Sequence, residues 1–251
     1  MHHLRIAWPE AFFLFRRPSD NGARIDFPLP RRRSIKDILE SLGVPHTEVG
    51  FIWVDGEPVD FHFIPEAGHE VVVRPVSAPF DVTKPSRLRP QPLDAVRFVV
   101  DVNVGKLAAL LRMLGMDTVY SPQLRDRQIA SLAEKQRRVV LTKDLMLLKR
   151  SAVVYGRFVR SVLPDDQLQE VVAFFGLKEA CRPFHRCIRC NDELVVVEKE
   201  AILHRLEPKT KKYYQDFKMC KTCDRIYWAG SHREAMKRRI AAINSPFCHT
   251  T

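Results

Sequence analysis

Apolar and polar positions alternate with two different periods along the first third of the chain. In SIKDILESLG, residues 34–43, Ile35, Ile38, Leu39 and Leu42 recur at i, i+3, i+4 and i+7, the spacing of one buried helix face. Ser34 stands where an N-cap belongs and Gly43 where a helix ends in a left-handed residue. The period then falls to that of a strand. VGFIWV and EPVDFHF flank Asp55 and Gly56, a dipeptide suited to the positive φ of a tight hairpin turn, and HEVVVRPV reads as a last strand. LRIAW and ARIDFPL are earlier candidates. Residues 1–78 are therefore expected to form a small mixed domain of one helix and several strands.

Residues 79–93 place Pro79, Pro85, Pro90 and Pro92 among charged residues and read as a linker with little to bury. Beyond it, strand-like runs alternate with helical ones: AVRFVV, a helix from Lys106, TVY, a helix near Asp126, RVVLT, a helix through DLMLLKR, RFVRSV and a helix from Asp165. That alternation predicts a parallel sheet with crossover helices, a compact α/β domain over residues 94–180. Leu107, Leu110, Leu111 and Leu114 form one helix face closed by Gly115. Leu168, Val171, Val172 and Phe175 form another, closed by Gly176.

Composition narrows the classes of function. With 45% hydrophobic and 28% charged residues the 251-residue chain has globular composition, and no run approaches the roughly 18 apolar residues of a membrane span. MHHLRIAWPEAFF has neither a long apolar core nor a cleavage site, so a cytoplasmic protein without a membrane partner is expected. The net charge of +11 makes a polyanion the leading partner, RNA first and DNA as the alternative. The charge is not evenly spread: residues 182–239 hold fifteen Lys and Arg against eight Asp and Glu, +7 of the total.

Carboxylates mark the predicted sheet. Loops leaving parallel strands gather at their carboxyl ends, where ligands bind. Asp101 ends the first strand, Asp126 follows the second and Asp144 follows the third, in VVLTKD. Three such carboxylates would give the oxygen-rich environment of Mg²⁺ or Mn²⁺. Asp126 and Asp144 also suit helix N-caps, whereas Asp101 follows the apolar FVV and is costly to bury without a partner. Lys106 and Lys143 are candidate phosphate contacts as well as ordinary surface lysines.

RCIRC and KMCKTC supply two Cys-x-x-Cys pairs, Cys187 with Cys190 and Cys220 with Cys223. Each pair can present two thiolates from one turn, which fits a closed, structural Cys₄ zinc site better than disulfides, with redox-active thiols as the alternative. Between the pairs, ELVVVEKEAIL reads as a strand, so residues 181–251 are expected to be a zinc ribbon with a basic tail. Cys181 and Cys248 fall outside the pattern. Tyr213, Tyr214, Phe217, Tyr227 and Trp228 lie among lysines and arginines, suited either to stacking bases or to a miniature core.

SLGVPHTEVGFIWVDGEPVDF resembles the ubiquitin-like β-grasp domains near the sulfur carriers. Those work through a free Gly-Gly tail, which RPVSAPFDVTKPSRLRPQP does not supply, so a docking role toward a protein partner is expected instead. FVVDVNVGKLAALLRMLGMDTVY, RDRQIASLA, VVLTKDLMLLKR and DDQLQEVVAFFGL resemble the Mut-seven C-terminal RNase family, a branch of the PIN-like nucleases that carries a zinc ribbon at this place. The resemblance implies a multi-domain α/β protein: β-grasp domain, PIN-like domain, zinc ribbon. It implies a metal-dependent ribonuclease with Asp101, Asp126 and Asp144 at the catalytic ion. The nearest candidate for a further acidic residue is Asp117, which the LGMD turn can equally require, and Asp165 and Asp166 suit N-caps. The rival expectation is a catalytically weak RNA-binding adaptor working through the basic ribbon.

Overall fold

A computed structural model describes residues 3–15 and 22–228. Strands β1 (His3–Ala7), β2 (Arg24–Pro28), β3 (Val49–Val54), β4 (Glu57–Pro58) and β5 (Glu70–Pro75) form a sheet in the order β2-β1-β5-β3-β4. Only β1 and β5 run parallel. Helix α1 (Ile35–Ser41) buries Ile35, Ile38 and Leu39 against Leu4, Ile6, Ile52, Val71 and Val73. The Ser34 hydroxyl accepts the Asp37 N–H, and Gly43 takes φ 105° beyond the end. This is the ubiquitin-like domain. Its hairpin is shorter than EPVDFHF suggests, because the Asp60 carboxylate accepts the His62 N–H and turns the chain after β4.

The central domain runs β6 (Phe98–Val100), α2 (Gly105–Met113), β7 (Thr118–Val119), α3 (Asp126–Lys135), β8 (Val139–Thr142), α4 (Leu145–Leu148), β9 (Gly156–Phe158) and α5 (Pro164–Phe174). Its four strands are all parallel, in the order β7-β6-β8-β9. The two inner strands are buried on both faces. Phe98, Val100, Val139 and Leu141 meet α2 and α5, while Val99 and Val140 meet Ile129, Ala133, Leu147 and Leu148 of α3 and α4. Because β7 lies on one side of β6 and β8 on the other, the strand order reverses between β6 and β8. An open α/β sheet has its ligand crevice at the carboxyl ends of such a pair.

The segment expected to be a spacer is packed. Val82, Leu88 and Leu93 are buried, as is Arg89. The Arg89 guanidinium donates to the carbonyls of His46, Thr47, Val49 and Val154 and lies over Phe61, Phe80 and Tyr155, tying the first two domains. Burial brings its pKa down to about 10, still charged at neutral pH. Prolines interrupt backbone pairing, but the apolar residues between them were still available to bury.

The last region holds β10 (Leu194–Val197), α6 (Lys199–Ile202), α7 (Pro208–Tyr213), β11 (Phe217–Cys220) and β12 (Ile226–Trp228). Its strands form an antiparallel sheet in the order β10-β11-β12. ELVVVEKEAIL is not one strand: pairing ends at Val197 and the charged remainder winds into α6. Cys248 lies outside the described residues. Among the described residues no helix is long and apolar enough to cross a membrane.

Candidate functional site

Asp101 and Asp144 both lie at the carboxyl edge, where the strand order reverses, and are linked through Thr142. Asp101 continues β6, and its N–H bonds the Leu141 carbonyl of β8 at 3.0 Å. The residue is 5% exposed, yet its carboxylate is compensated. Its Oδ1 accepts the Val102 N–H, and its Oδ2 accepts the Thr142 hydroxyl and the Asn103 amide, each at 2.6 Å. Thr142 Oγ1 in turn accepts the Asp144 N–H at 2.9 Å. Asp144 caps α4, its Oδ1 accepting the N–H groups of Met146 and Leu147. Thr142, the threonine of the Thr-x-Asp setting that the family resemblance implies around Asp144, thus links the two aspartates.

Asn103 was not singled out by sequence reasoning. Its amide donates to Asp101 and Thr142, and its carbonyl accepts the Lys143 N–H at 3.0 Å, so one side chain locks the loops after β6 and β8 together. The only signal was position, two residues beyond Asp101 in VVDVN. Exposed apolar residues surround this edge: Val102 after β6, Met146 after β8, and Val162 and Leu163 after β9.

Asp126 does not join this pair closely. It opens α3 at the first helical position rather than as the N-cap, and pairs with Arg150 at 3.7 Å, both side chains being about half exposed. Among the described residues, the only group of three or more His, Cys, Asp or Glu ligand atoms within 4.8 Å of one another is the cysteine quartet. Lys106 is exposed on the first turn of α2, and Lys143 Nζ donates to the Arg160 carbonyl. Asp165 and Asp166 occupy the first turn of α5, whose N-cap is Leu163.

Asp117 sits elsewhere altogether. It precedes β7, and its carbonyl accepts the Phe98 N–H at the start of β6, which places it at the amino edge of the sheet. With roughly 3.3 Å of rise per residue, β6 separates it from Asp101 by about 10 Å. Its carboxylate takes Arg138 at 2.6 Å and Asn191 at 2.8 Å. Although burial works to raise its pKa, those hydrogen bonds hold it below the usual aspartate value.

Asn191 belongs to the first cysteine knuckle, so the four thiols are anchored to that amino edge. Cys187 and Cys190, Cys220 and Cys223 gather all their Sγ atoms within 4.8 Å, with Cys187 3.5 Å from Cys223 and Cys190 3.3 Å from Cys220. Each knuckle turns through a left-handed residue directly after its second cysteine, Asn191 at φ 73° and Asp224 at φ 59°, the side chains that tolerate this region best after glycine. Buried Arg112 at the end of α2 donates to the Ile188 and Arg189 carbonyls of the first knuckle and to the Thr118 carbonyl of β7. Gly115, at φ 86°, lets the ribbon strap pass: a Cβ there would collide with the Arg182 carbonyl oxygen.

The quartet can bind a metal such as zinc. Burial opposes ionisation of Cys187, but the Tyr227 hydroxyl at 3.0 Å and nearby backbone N–H groups outweigh it and bring the thiol down to about 6, while burial pushes Cys190 up to about 12. Of the aromatic group, Phe217 and Tyr214 pack with Ile202 and Leu206, and Tyr227 packs on the cysteines. Tyr213 and Trp228 remain exposed.

A family profile described as the Mut7-C RNAse domain matches residues 96–240, and one described as Mut7-C ubiquitin matches residues 3–81, in the order the fold requires. No curated protein and no solved structure gave a match.

Proposed function

The chain belongs to the Mut7-C RNAse-domain family, and from that premise we propose that it is a PIN-like, metal-dependent ribonuclease hydrolysing RNA phosphodiesters at the carboxyl edge of the β6–β8 pair. The observation that carries this is the juxtaposition of Asp101 and Asp144 through Thr142 at the point of strand reversal.

The donor set fits a hard divalent cation. It is oxygen only, and of about four lone-pair sites on the Asp101 carboxylate three are used by the chain. Asp144 Oδ2 accepts no hydrogen bond from a described residue. Asp126 completes the set once it leaves its loose pairing with Arg150. When bound, Mg²⁺ or Mn²⁺ supplies charge neutralisation at the phosphate and a more acidic water. Asn103 and Thr142 fix the Asp101 carboxylate by donating to it. Lys106 and Lys143 offer positive charge to the flanking phosphates.

Zinc in the cysteine quartet is structural on this reading, since a four-thiolate site leaves no open position. Clustered free thiols fit a reducing compartment such as the cytoplasm. The exposed Tyr213 and Trp228, with the surrounding lysines, give the ribbon a role in holding RNA.

Metal-stripped protein is incubated with end-labelled RNA and DNA oligomers, and Mn²⁺ or Mg²⁺ is returned, with Asp144→Asn alongside. The expected result is cleavage of RNA that requires the added ion and is absent from the variant. Equal cleavage by parent and variant overturns the assignment. Binding without cleavage under every metal leaves the RNA-binding adaptor, a reading supported by the use both aspartates already make of backbone N–H groups.

A further inference from the structure

Between the ubiquitin-like domain and the nuclease domain lies an open cleft of about 630 Å³. Arg31, Arg32 and Arg33, immediately before α1, line it together with Lys149 at the end of α4, against Asp37 and Glu40. The acidic share is smaller than the count suggests, because Glu40 turns inward and bonds His46 Nδ1 at 2.7 Å. Arg31 and Arg32 are exposed and make no ion pair with a described residue.

The two walls of this cleft are held in fixed register. Lys149 Nζ donates to the Glu40 carbonyl at 2.7 Å, His46 Nε2 meets the Val153 carbonyl at 2.8 Å, and the buried Glu48 carboxylate takes both Arg157 and the Phe158 N–H. With the Arg89 contacts across the same junction, an arginine run on one domain acquires a defined place relative to the other. That place is next to the catalytic edge. Met146, 69% exposed, forms part of the nuclease wall, and its N–H bonds Asp144 Oδ1 at 2.7 Å.

We propose that the ubiquitin-like domain is a phosphate clamp of the nuclease, with Arg31 and Arg32, aided by Lys149, holding the backbone of single-stranded RNA that runs past Met146 to the Asp101–Asp144 edge. The ligand class follows from the chemistry. Exposed arginine forks and a lysine suit repeated phosphates, and contacts to phosphates alone carry no base preference. The destination of the strand rests on the ribonuclease reading; binding in the cleft does not.

The test uses the full chain with Mg²⁺ and Mn²⁺ omitted, so that binding is read without cleavage. Fluorescence anisotropy of a labelled single-stranded RNA 20-mer is measured against salt for the parent, Arg31→Ala/Arg32→Ala, and a matched pair outside the cleft, Arg24→Ala/Arg74→Ala. At about 0.7 counterions per phosphate contact, the cleft pair is expected to lower the salt slope by about 1.4 and affinity near 0.1 M salt roughly 20-fold. The outer pair should stay within about threefold, and Arg31→Lys/Arg32→Lys should recover most of the loss.

Equal losses in the two alanine pairs would reduce the effect to bulk charge and overturn the clamp, as would unchanged binding in the cleft pair. Polyglutamate displacing RNA at matched charge would assign the cleft to an acidic protein segment instead. Loss of binding confined to the cleft pair, in a protein that fails to cleave whichever metal is added, keeps the clamp and removes the nuclease. Metal-dependent cleavage with unaltered RNA binding does the reverse.

Discussion

The central sheet carries a candidate metal centre at each edge, and the two are built in opposite ways. At the amino edge, four cysteines converge because each knuckle is a local turn, and Arg112, Asn191 and Asp117 then fasten the first knuckle to β7. At the carboxyl edge, two aspartates more than forty residues apart are brought to neighbouring loops because β6 and β8 are neighbours, and each accepts hydrogen bonds from the chain while keeping acceptor capacity to spare. The cysteine site has no other partner equal to four thiolates. At the aspartate site Asn103 and Thr142 hold the Asp101 carboxylate through side-chain hydrogen bonds. On the proposed reading, a metal at the first is part of the fold and a metal at the second is part of the chemistry.

The sharpest break in that contrast is metal removal. Zinc in a four-thiolate site contributes about 10–16 kcal/mol to small domains that fold around it. Chelation, or Cys220→Ser at a fully buried thiol, should therefore unfold β10–β12 while leaving β6–β9 protected. Hydrogen exchange beside elemental analysis checks this, with one zinc per parent chain and none in the variant. An intact ribbon after chelation would remove the metal from the fold.

At the other edge, Asp101→Asn and Asp144→Asn should each lower cleavage by about 10³-fold, comparable to losing a principal electrostatic stabiliser of a transition state. Asp126→Asn should cost less, about tenfold, because Asp126 stands apart with Arg150. Asp101→Asn also points an amide at the Thr142 hydroxyl and the Asn103 amide, a mismatch worth about 1–3 kcal/mol. Added Mn²⁺ should raise the melting temperature of the parent but not of Asp101→Asn. If all three variants lose activity equally, Asp126 swings fully into the site.

Legibility followed the range of the interactions. Two Cys-x-x-Cys pairs announce their ligands within four residues each, and the apolar faces closed by Gly115 and Gly176 announce α2 and α5. Parallel alternation gave the strands, and the position of Asp101 and Asp144 at their ends followed from it. Hidden from sequence were the contacts that depend on which strands become neighbours. Asn103 reads as an ordinary loop residue, Arg89 as one charge in a proline-rich spacer, and Arg112 as a polar position on an apolar helix. Each is a polar side chain whose partners are backbone carbonyls or side chains of distant loops, and carbonyls carry no sequence signature. Asp117 was ambiguous for a related reason: distance along the chain does not reveal which end of a strand a residue occupies.

Arg112→Leu attacks the fastening of the cysteine edge without touching a thiol. It strips the donors from the Ile188, Arg189 and Thr118 carbonyls, a loss of about 3 kcal/mol. The thermal transition of a chain this long should fall by roughly 6–12 °C on that account. Zinc content should stay at one. Loss of zinc in this variant would show that docking and metal retention are a single cooperative unit.

The smallest effect is the one that separates the two edges most cleanly. Asp117 is a carboxylate close to a metal candidate, yet it serves the cysteine edge, bridging Arg138 and Asn191. Asp117→Asn should cost about 1 kcal/mol, the difference between a charge-assisted pair and a neutral one. Cleavage should be unchanged within twofold, because the residue faces away from Asp101 across the length of β6. The sign of its pH dependence is set by a folded pKa below the ordinary value of about 3.9. Its stabilisation is complete above that ordinary value and is lost as pH falls through the lower folded one. Between pH 5 and 8 the cost of Asp117→Asn should therefore be flat in thermal melts. A cleavage loss of 100-fold or more would instead make Asp117 a ligand, and would require the parallel β6–β7 register that places it at the amino edge to be wrong.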